Sequence, residues 1–421
     1  MTAAARSQDA VSGPWAPLRV TVYRWLWIAG LVSNVGTFMH LIAASWTMTL
    51  MTDSPSLVSR VQVAWSVPGF LLALHAGAFA DRLDRRRFIL ATQVAALAVA
   101  LALAVMQFGG WLDPTWLLVG TFVESVALTM AAPAFMALTP VLVGVGQLQQ
   151  ALGLDAISRN AAQAIGPALA GTVIAVAGPS AVFALNAASF LGVLVVVQRA
   201  SLGSPPRRAQ EELGAAIREG VRRVSARAGL RNPLLRLAVT SAVGAGFTAL
   251  MPLAARGRLQ ASAQGFGLLS AGIGVGSVVA VWSLPRLRAA TRPESAILIA
   301  VAAWSVGVAA FAVSSSWLVA LPAVLLAGLG TMGMLNVLFT NYTLQLEEWM
   351  RGRGSAIAML MVWLGASVGA WAWGELAAEV GVTTTLTTVA AANLAWGVIA
   401  RVALPVTPTV PTGARTGPTG G

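Results

Sequence analysis

The chain alternates long apolar runs with short polar connections. A helix needs about 20 mostly apolar residues to cross the hydrocarbon core of a bilayer. Twelve runs reach or approach that length, at residues 25–50, 58–80, 88–108, 115–138, 153–177, 181–198, 233–254, 265–283, 295–314, 317–341, 355–378 and 384–404. Because the apolar residues are continuous and do not alternate in steps of two, they predict an all-α integral membrane protein with twelve transmembrane helices.

Composition agrees with a membrane protein and excludes several other classes. Of 421 residues, 57% are hydrophobic and only 10% are charged. So few charges cannot cover the surface of a soluble enzyme of this length. There is no cysteine, which excludes disulfides and thiolate metal sites. The sequence G-x-x-x-x-G-K-[ST] does not occur, so we expect no ATP hydrolysis by this chain.

The net charge of +12 reflects how the chain is threaded through the membrane and does not indicate a nucleic-acid partner. Every one of the 27 basic residues is an arginine, and 18 of them lie in the connections that follow runs two, six, eight and ten. The intervening connections hold only Arg60, Arg256 and Arg258. Arginine accumulates on the cytoplasmic side of membrane proteins. We therefore predict a multi-pass protein of the inner (plasma) membrane with both termini in the cytoplasm, and a first run that is retained, not cleaved as a signal peptide.

One long polar segment divides the chain into two sets of six runs. We predict a cytoplasmic tail, a six-helix bundle, a cytoplasmic linker, a second six-helix bundle and a disordered tail, at 1–24, 25–198, 199–232, 233–404 and 405–421. The linker carries apolar residues on one helical face, which predicts an amphipathic helix on the inner leaflet. These residues are Leu213, Ile217, Val221 and Val224.

The two halves repeat short features at an offset near 200 residues. Arg82-Leu83 corresponds to Arg286-Leu287 at an offset of 204. Gly166 and Gly171 correspond to Gly369 and Gly374 at an offset of 203. Internal repeats of this kind are typical of transporters whose halves rock about a central site.

The connection after the second run contains the most distinctive motif of the chain. It reads Gly77-Ala-Phe-Ala-Asp81-Arg82-Leu-Asp84-Arg85-Arg86-Arg87. Taken alone, it fits a basic cytoplasmic loop. The order G-x-x-A-D-R-x-x-R-R also resembles the loop 2/3 signature of the major facilitator superfamily, with Phe79 in place of leucine and Asp84 in place of glycine. The resemblance implies that Gly77, Asp81, Arg82, Arg85 and Arg86 belong to a gate.

Other segments resemble the transmembrane secretion effector group of that superfamily, which includes the enterobactin exporter. They are Ser33-Asn34-x-Gly36, Ile165-Gly-Pro-Ala-Leu-Ala-Gly171, Asn186-Ala-Ala-Ser-Phe190 and Trp349-Met-Arg351-Gly352-Arg353. The chain departs from the group at Ala131–Phe135 and at Gln163, so a charge network typical of the group is absent or rebuilt with Asp155 and Arg159. The resemblance implies the two-bundle fold, alternating access and no cofactor.

The fifth run contains a motif built on Gly166, Pro167 and Gly171. Proline bends a membrane helix, and small residues allow close helix packing. The motif resembles one associated with antiporters of the superfamily, which favours export. Generic helix packing explains the same residues equally well.

Ionisable residues inside the runs are the main candidates for function, because a charge at the bilayer centre costs a few kcal/mol. Glu124 in run four is predicted to carry protons or contact substrate, and a neutral, hydrogen-bonded carboxyl is the structural alternative. His40 in run one is a weaker candidate for the same role. Asn34, Asn336 and Asn341 are predicted to face the same cavity, although asparagine also serves as a contact between helices. Glu375 lies near the end of run eleven, where exposure to water explains it.

We therefore predict a secondary active transporter, a proton-coupled exporter of a drug, siderophore or secondary metabolite, that functions as a monomer in the lipid bilayer. The scarcity of charge in the runs favours a bulky apolar cargo. Two alternatives remain. One is an importer or facilitator of the same fold. The other is a polytopic membrane protein without transport activity, although the acid and histidine clusters of an enzyme are missing from the runs.

Overall fold

In a computed structural model, the chain is described for residues 13–82, 84–199, 222 and 226–406. Residues 74, 77–82, 145, 288, 289 and 349 are described by their backbone alone. The predicted amphipathic helix, with Leu213, Ile217, Val221 and Val224, lies outside the described residues. So does most of the predicted C-terminal tail, from residue 407 onward.

The described part of the chain is helical, with eleven long α-helices and three short 3-10 turns. The long helices are α1 (Thr21–Met51), α2 (Pro55–Arg82), α3 (Arg85–Phe108), α4 (Pro114–Val143), α5 (Leu148–Arg199), α6 (Ala228–Gly257), α7 (Ala263–Ala290), α8 (Pro293–Val313), α9 (Trp317–Leu344), α10 (Arg351–Val380) and α11 (Val382–Ala403). The turns are Ala16–Arg19, Val145–Gln147 and Glu348–Met350. Ten of the long helices have the length and apolar composition needed to cross a membrane. The predicted helical character of the apolar runs is confirmed.

Helix α5 contains two of the predicted runs. Its 52 residues would extend about 78 Å if straight, more than twice the thickness of a bilayer core. The helix breaks at Gly178, whose φ of 78° lies in the left-handed region that glycine adopts without strain. Gly381, with a φ of 85°, separates α10 from α11 in the same manner. The two glycines are 203 residues apart, which is the offset of the internal repeat.

Short polar side chains begin several helices by capping free backbone N–H groups. The Asp84 carboxylate accepts a hydrogen bond from the Arg87 N–H at the start of α3. Asp113 does the same for Trp116 at the start of α4. Ser262 begins α7 with a bond from the N–H of Gly265. These caps fix where the connections end and the apolar segments begin.

The helices form two packed groups, which we call the N-terminal half (residues 13–199, α1–α5) and the C-terminal half (residues 226–406, α6–α11). Within the first, α1 packs along α5, and α4 packs against α2 and α3. Within the second, α6 packs along α10, and α8 packs against α9 and α11. The halves meet mainly where α2 lies against α10 and where α5 lies against α7.

Close glycine contacts reproduce the internal repeat in three dimensions. Gly171 on α5 lies against Gly267 on α7, and its counterpart Gly374 on α10 lies against Ser59 on α2. Each glycine lets one half approach the other so closely that a Cβ would overlap its neighbour. The other repeated pair of glycines makes contacts inside the halves. Gly166 packs on α1 in the N-terminal half, and Gly369 packs on α6 in the C-terminal half. The two halves are therefore built on the same contacts.

Candidate functional site

The connections between helices define two ends of the molecule. The arginine-poor end contains residues 52–54, 109–113, 258–262 and 314–316 together with Gly178 and Gly381. Among the described residues, the arginine-rich end contains residue 84, residues 144–147, residue 227, residues 291–292 and residues 345–350. Odd-numbered and even-numbered connections thus lie on opposite sides, as expected of a chain that crosses a membrane repeatedly.

An ion pair joins the halves between α2 and α10 at the arginine-poor end. The Arg60 guanidinium lies 3.4 Å from the Glu375 carboxylate, and the Ser56 hydroxyl donates to the other carboxylate oxygen at 2.8 Å. Both charged side chains are nearly half exposed. The sequence predicted only exposure to water for Glu375. The structure adds a role there, because this carboxylate ties one half to the other.

A second set of contacts joins α1 to the C-terminal half at the same end. The Arg256 guanidinium donates to the carbonyl of Thr49 and lies 3.2 Å from the Asp53 carboxylate. Nearby, the Trp46 indole stacks on the ring of Phe266, with centroids 5.5 Å apart and planes 20° apart. An open pocket of about 480 Å³ lies between these side chains.

The contacts continue part of the way toward the centre of the molecule. The Ser367 hydroxyl on α10 donates to the Ser66 hydroxyl on α2 at 2.8 Å. On the opposite side, Gly274 on α7 packs against the backbone of Ala164 on α5. All of these contacts lie in the portions of the helices nearer the arginine-poor end. The structure is therefore closed between the halves at that end.

The most unusual polar group of the N-terminal half is a cluster of three buried side chains, His40, Glu124 and Asn186. The Asn186 amide donates to one Glu124 carboxylate oxygen at 2.8 Å. Nδ1 of His40 lies 3.1 Å from the other oxygen. All three residues are fully buried, and they come from α1, α4 and the second arm of α5. The structure thus brings together the two leading ionisable candidates of the sequence.

The His40–Glu124 contact is close but poorly oriented. Nδ1 of His40 and Oε2 of Glu124 approach to 3.1 Å, yet neither atom makes a hydrogen bond of good geometry. A small rotation of the imidazole would align them. The pair can then hold a proton on the carboxyl, on the imidazole or on both. Protonation changes the charge of a fully buried group, which is costly in a low-dielectric interior and couples readily to packing.

Small and aromatic residues hold the cluster in place. Gly36 lies one turn before His40 on α1, and a Cβ there would lie 2.9 Å from Oδ1 of Asn186. Only glycine allows α1 to approach α5 this closely. The Phe183 ring packs on the imidazole with centroids 5.1 Å apart. The sequence marked Asn186 only as part of a family motif. Its pairing with Glu124 needed the fold to be seen.

The predicted asparagines do not join this cluster. The Asn34 amide donates to the Ser158 hydroxyl at 3.0 Å, which ties α1 to the first arm of α5. On α9, Oδ1 of Asn336 accepts from Thr340 at 3.4 Å and Oδ1 of Asn341 accepts from Gln345 at 2.8 Å. These bonds fit the alternative interpretation of contacts within and between helices.

The loop 2/3 motif is described in part. The side chains of Gly77, Asp81 and Arg82 lie outside the described residues, although the backbone of α2 continues through all three. The Arg85 guanidinium donates to the carbonyl of Ala137 on α4 at 3.4 Å. The Arg86 guanidinium donates to the carbonyl of Gln198 at the end of α5. Through these hydrogen bonds, both arginines attach the start of α3 to neighbouring helices of the same half.

The motif of the fifth run, built on Gly166, Pro167 and Gly171, lies on the first arm of α5 at two contacts between helices. Gly166 lies against Phe38 and Val35 on α1, inside the N-terminal half. The carbonyl of the next residue, Pro167, and Gly171 both face Gly267 on α7, across the interface between the halves. The motif thus stands where motion between the halves would be transmitted to α1.

The arrangement of helices is that of a known class of membrane transporter. A solved bacterial homologue of the iron transporter ferroportin superposes with a TM-score of 0.66 at 17% identity, covering 91% of this chain and 99% of that one. This likeness shows that the chain has the same fold as that protein, with the contacts α2–α10 and α5–α7 between its two halves.

The chain belongs to the transmembrane secretion effector family, whose model matches residues 12–414. It is 26% identical to the enterobactin exporter EntS of Citrobacter koseri over 380 residues, which is 85% of each chain. It is 27% identical to the MFS-type transporter YfiS of Bacillus subtilis over 198 residues. In that alignment the chain spans less than half the length of YfiS, 46%. With ten described helices long and apolar enough to cross a membrane, the chain is a multi-pass membrane protein of this family.

Proposed function

We propose that this protein is a proton-coupled exporter of small organic molecules that works by alternating access. The single observation that carries this proposal is the buried cluster of His40, Glu124 and Asn186. An ionisable pair in the core of a membrane-spanning half is expensive and calls for a functional reason. Proton binding and release supply that reason.

The contacts between the halves support alternating access. They close the arginine-poor end through Arg60–Glu375, Arg256–Asp53 and Trp46–Phe266. The distribution of arginine assigns that end to the outside of the cell and both termini to the cytoplasm. In our proposal this is the state closed to the outside. Twelve spans, with the two arms of α5 counted separately, form bundles of six at 25–198 and 233–404.

Two further observations favour export of an organic cargo. The similar enterobactin exporter EntS is named for exporting a siderophore. The Gly166-Pro167…Gly171 motif lies at the contact between α5 and α7, where it can link opening of the halves to α1. We propose a bulky, mainly apolar cargo such as a siderophore, drug or secondary metabolite, carried by a single chain against a counterflow of protons.

The test is an efflux panel in inverted membrane vesicles with an imposed proton gradient, using siderophores, macrolides and fluorescent lipophilic dyes. We expect proton-driven accumulation of at least one compound by the wild type, and its loss in Glu124→Gln. Glu379→Gln, which neutralises an exposed carboxylate near the end of α10, is the matched control and should transport normally. Movement of cargo in the same direction as protons would indicate an importer. Equal proton-driven transport by Glu124→Gln would overturn the assigned coupling site.

A further inference from the structure

Nine side chains of the N-terminal half carry buried polar atoms without a hydrogen-bond partner among the described residues, and the five most deeply buried side chains carry six of these atoms. These six atoms are both ring nitrogens of His40, Oε2 of Glu124, Oδ1 of Asn186 and the hydroxyls of Thr47 and Thr121. All five residues are at least 99% buried. Buried polar atoms are almost always satisfied by protein or by ordered water. Three of these residues form the cluster already described, and the two threonines need their own explanation.

Both threonines lie on the same side of the cluster when positions are compared along the helix axes. Thr121 precedes Glu124 by three residues on α4, about 4.5 Å along the helix axis and on a neighbouring face. Thr47 follows His40 by seven residues on α1, about 10.5 Å along the axis and on nearly the same face. Helices α1 and α4 run in opposite directions. Both hydroxyls therefore lie on the side of the cluster that faces the arginine-poor end.

We propose that water molecules bound by Thr121 and Thr47 form a proton path through the N-terminal half, from the arginine-poor end to the His40–Glu124 pair. The axial steps from cluster to Thr121 and from Thr121 to Thr47 are about 4.5 and 6 Å. One water with two hydrogen bonds of about 2.8 Å spans a similar distance. Helix α1 ends at Met51, about 6 Å beyond Thr47.

Threonine hydroxyls are suited to a proton path because they both donate and accept hydrogen bonds. A threonine hydroxyl donates one hydrogen bond and accepts others, so it can pass a proton along a chain of waters without becoming charged itself. The proton ends on the Glu124 carboxylate or the His40 imidazole, and no other bond is made or broken. The carboxylate and imidazole are the acceptors, and Asn186 fixes the carboxylate from its other side.

In this proposal, protons and cargo take different routes through the molecule. Trp46, next to Thr47, stacks on Phe266 of the other half and helps to close the molecule at this end. A route inside the N-terminal half reaches the cluster without opening that contact. This inference rests on the proposed proton coupling, and it adds the side from which the proton arrives.

The experiment follows protonation of Glu124 directly, with protons as the only ligand. Purified protein in liposomes is exposed to a pH jump on one side, and the infrared carboxyl band is recorded with time. Glu124→Gln identifies the band that belongs to this residue. We expect the Thr47→Val/Thr121→Val double variant to slow its appearance by roughly tenfold or more, because a missing hydrogen bond raises the barrier to proton transfer. Thr47→Ser/Thr121→Ser should restore the wild-type rate.

Thr92→Val is the matched control for loss of a hydroxyl. Thr92 is also buried in the N-terminal half, but its hydroxyl donates to carbonyls of its own helix. It should leave the rate unchanged. A valine double variant that protonates Glu124 at the wild-type rate, while Glu124→Gln still loses coupled transport, would overturn the path and leave the coupling site intact. If Glu124→Gln keeps coupled transport, the coupling site itself fails.

Discussion

Each half of the molecule contains a fully buried asparagine on its last helix segment, and the two differ in what they hold. Asn186 in the N-terminal half donates to the carboxylate of Glu124. Asn393 in the C-terminal half donates to the hydroxyl of Ser305 at 3.0 Å and lies 3.4 Å from the carbonyl of Val301. The first bond orients an ionisable group, and the second joins neutral groups.

The surroundings of the two asparagines differ in the same sense. Around Asn393, the C-terminal half has a core of large rings, with Phe247 packed edge-on against Trp304 and Phe311. Around Asn186, the N-terminal half has Gly36 and the His40 imidazole. The two halves share one structural repeat, but the C-terminal half has aromatic rings in its core, whereas the N-terminal half has an ionisable imidazole in its core.

The buried charges of the C-terminal half support this comparison. The Arg236 guanidinium makes two bonds to the Glu294 carboxylate, at 2.7 and 3.0 Å. The backbone N–H of Val406 donates to the same carboxylate. Every partner is well aligned, unlike the His40–Glu124 contact. The ion pair at the arginine-rich end is therefore satisfied by hydrogen bonds, whereas the His40–Glu124 pair in the core is satisfied only in part.

The largest effect on stability is expected from Arg236→Ala. It leaves the Glu294 carboxylate, whose side chain is only 18% exposed, without its partner. Losing one member of a buried pair costs about 3–5 kcal/mol. Thermal unfolding in detergent should show a much lower midpoint. Replacing both residues, as Arg236→Met/Glu294→Gln, should recover most of that loss, and equal stability of the single variant and the wild type would contradict a structural role.

Glu124→Gln should affect transport strongly and stability little. The amide can still accept the bond from Asn186, and a group that ionises in the core is removed. We expect proton-driven efflux to fall by about 100-fold or more, which corresponds to about 2.7 kcal/mol. The free energy of unfolding should change by less than about 1 kcal/mol. If Glu124→Gln were strongly destabilised, Glu124 would have a structural role like that of Arg236.

Asn186→Ala and Asn393→Ala should separate the two halves by their pH dependence. Each removes a buried amide and should cost about 1–3 kcal/mol of stability. Only Asn186→Ala should also alter how proton-driven efflux depends on pH, because only Asn186 bonds to an ionisable group. Efflux measured across a series of pH values decides this. The same altered profile in both variants would remove the distinction.

The smallest effect is expected for the ion pair between the halves. Arg60 and Glu375 are 48% and 42% exposed in their side chains, and exposed pairs contribute about 0.2–1 kcal/mol. Glu375→Gln should therefore fold normally and shift the balance between closed and open states only modestly. The shift can be read from labelling of a cysteine introduced at Val63, a partly buried residue of α2 that packs against the C-terminal half, since the chain has no cysteine of its own. The swapped pair Arg60→Glu/Glu375→Arg should return labelling to the wild-type level.

Most of the fold could be predicted from the sequence, because a bilayer forces apolar runs into helices. The glycine repeat was also visible, and the packing of Gly171 and Gly374 on the opposite half confirms it. The predicted runs at 153–177 and 181–198 leave Gly178 between them, and the structure breaks α5 at that residue. The sequence did not show that the two arms would follow each other without a polar connection.

The candidate site could be predicted only one residue at a time. Glu124 and His40 were candidates because charge is rare in the apolar runs, and the structure places them 3.1 Å apart. Their partner Asn186 could not be deduced, because asparagine in membrane helices commonly joins helices without any further role. Asn34, Asn336 and Asn341 carried the same signal as Asn186 and bond elsewhere. The pairing depends on helix rotation, which a short apolar pattern does not specify.

The central claim is that protons move through the His40–Glu124 pair in exchange for cargo. Its most direct test uses liposomes that contain the purified protein and a pH indicator, with a cargo identified in the efflux panel added on one side. We predict that cargo moving down its gradient drives protons in the opposite direction in the wild type, and that Glu124→Gln shows no proton movement while still binding cargo. Proton movement of wild-type size in Glu124→Gln would contradict the account.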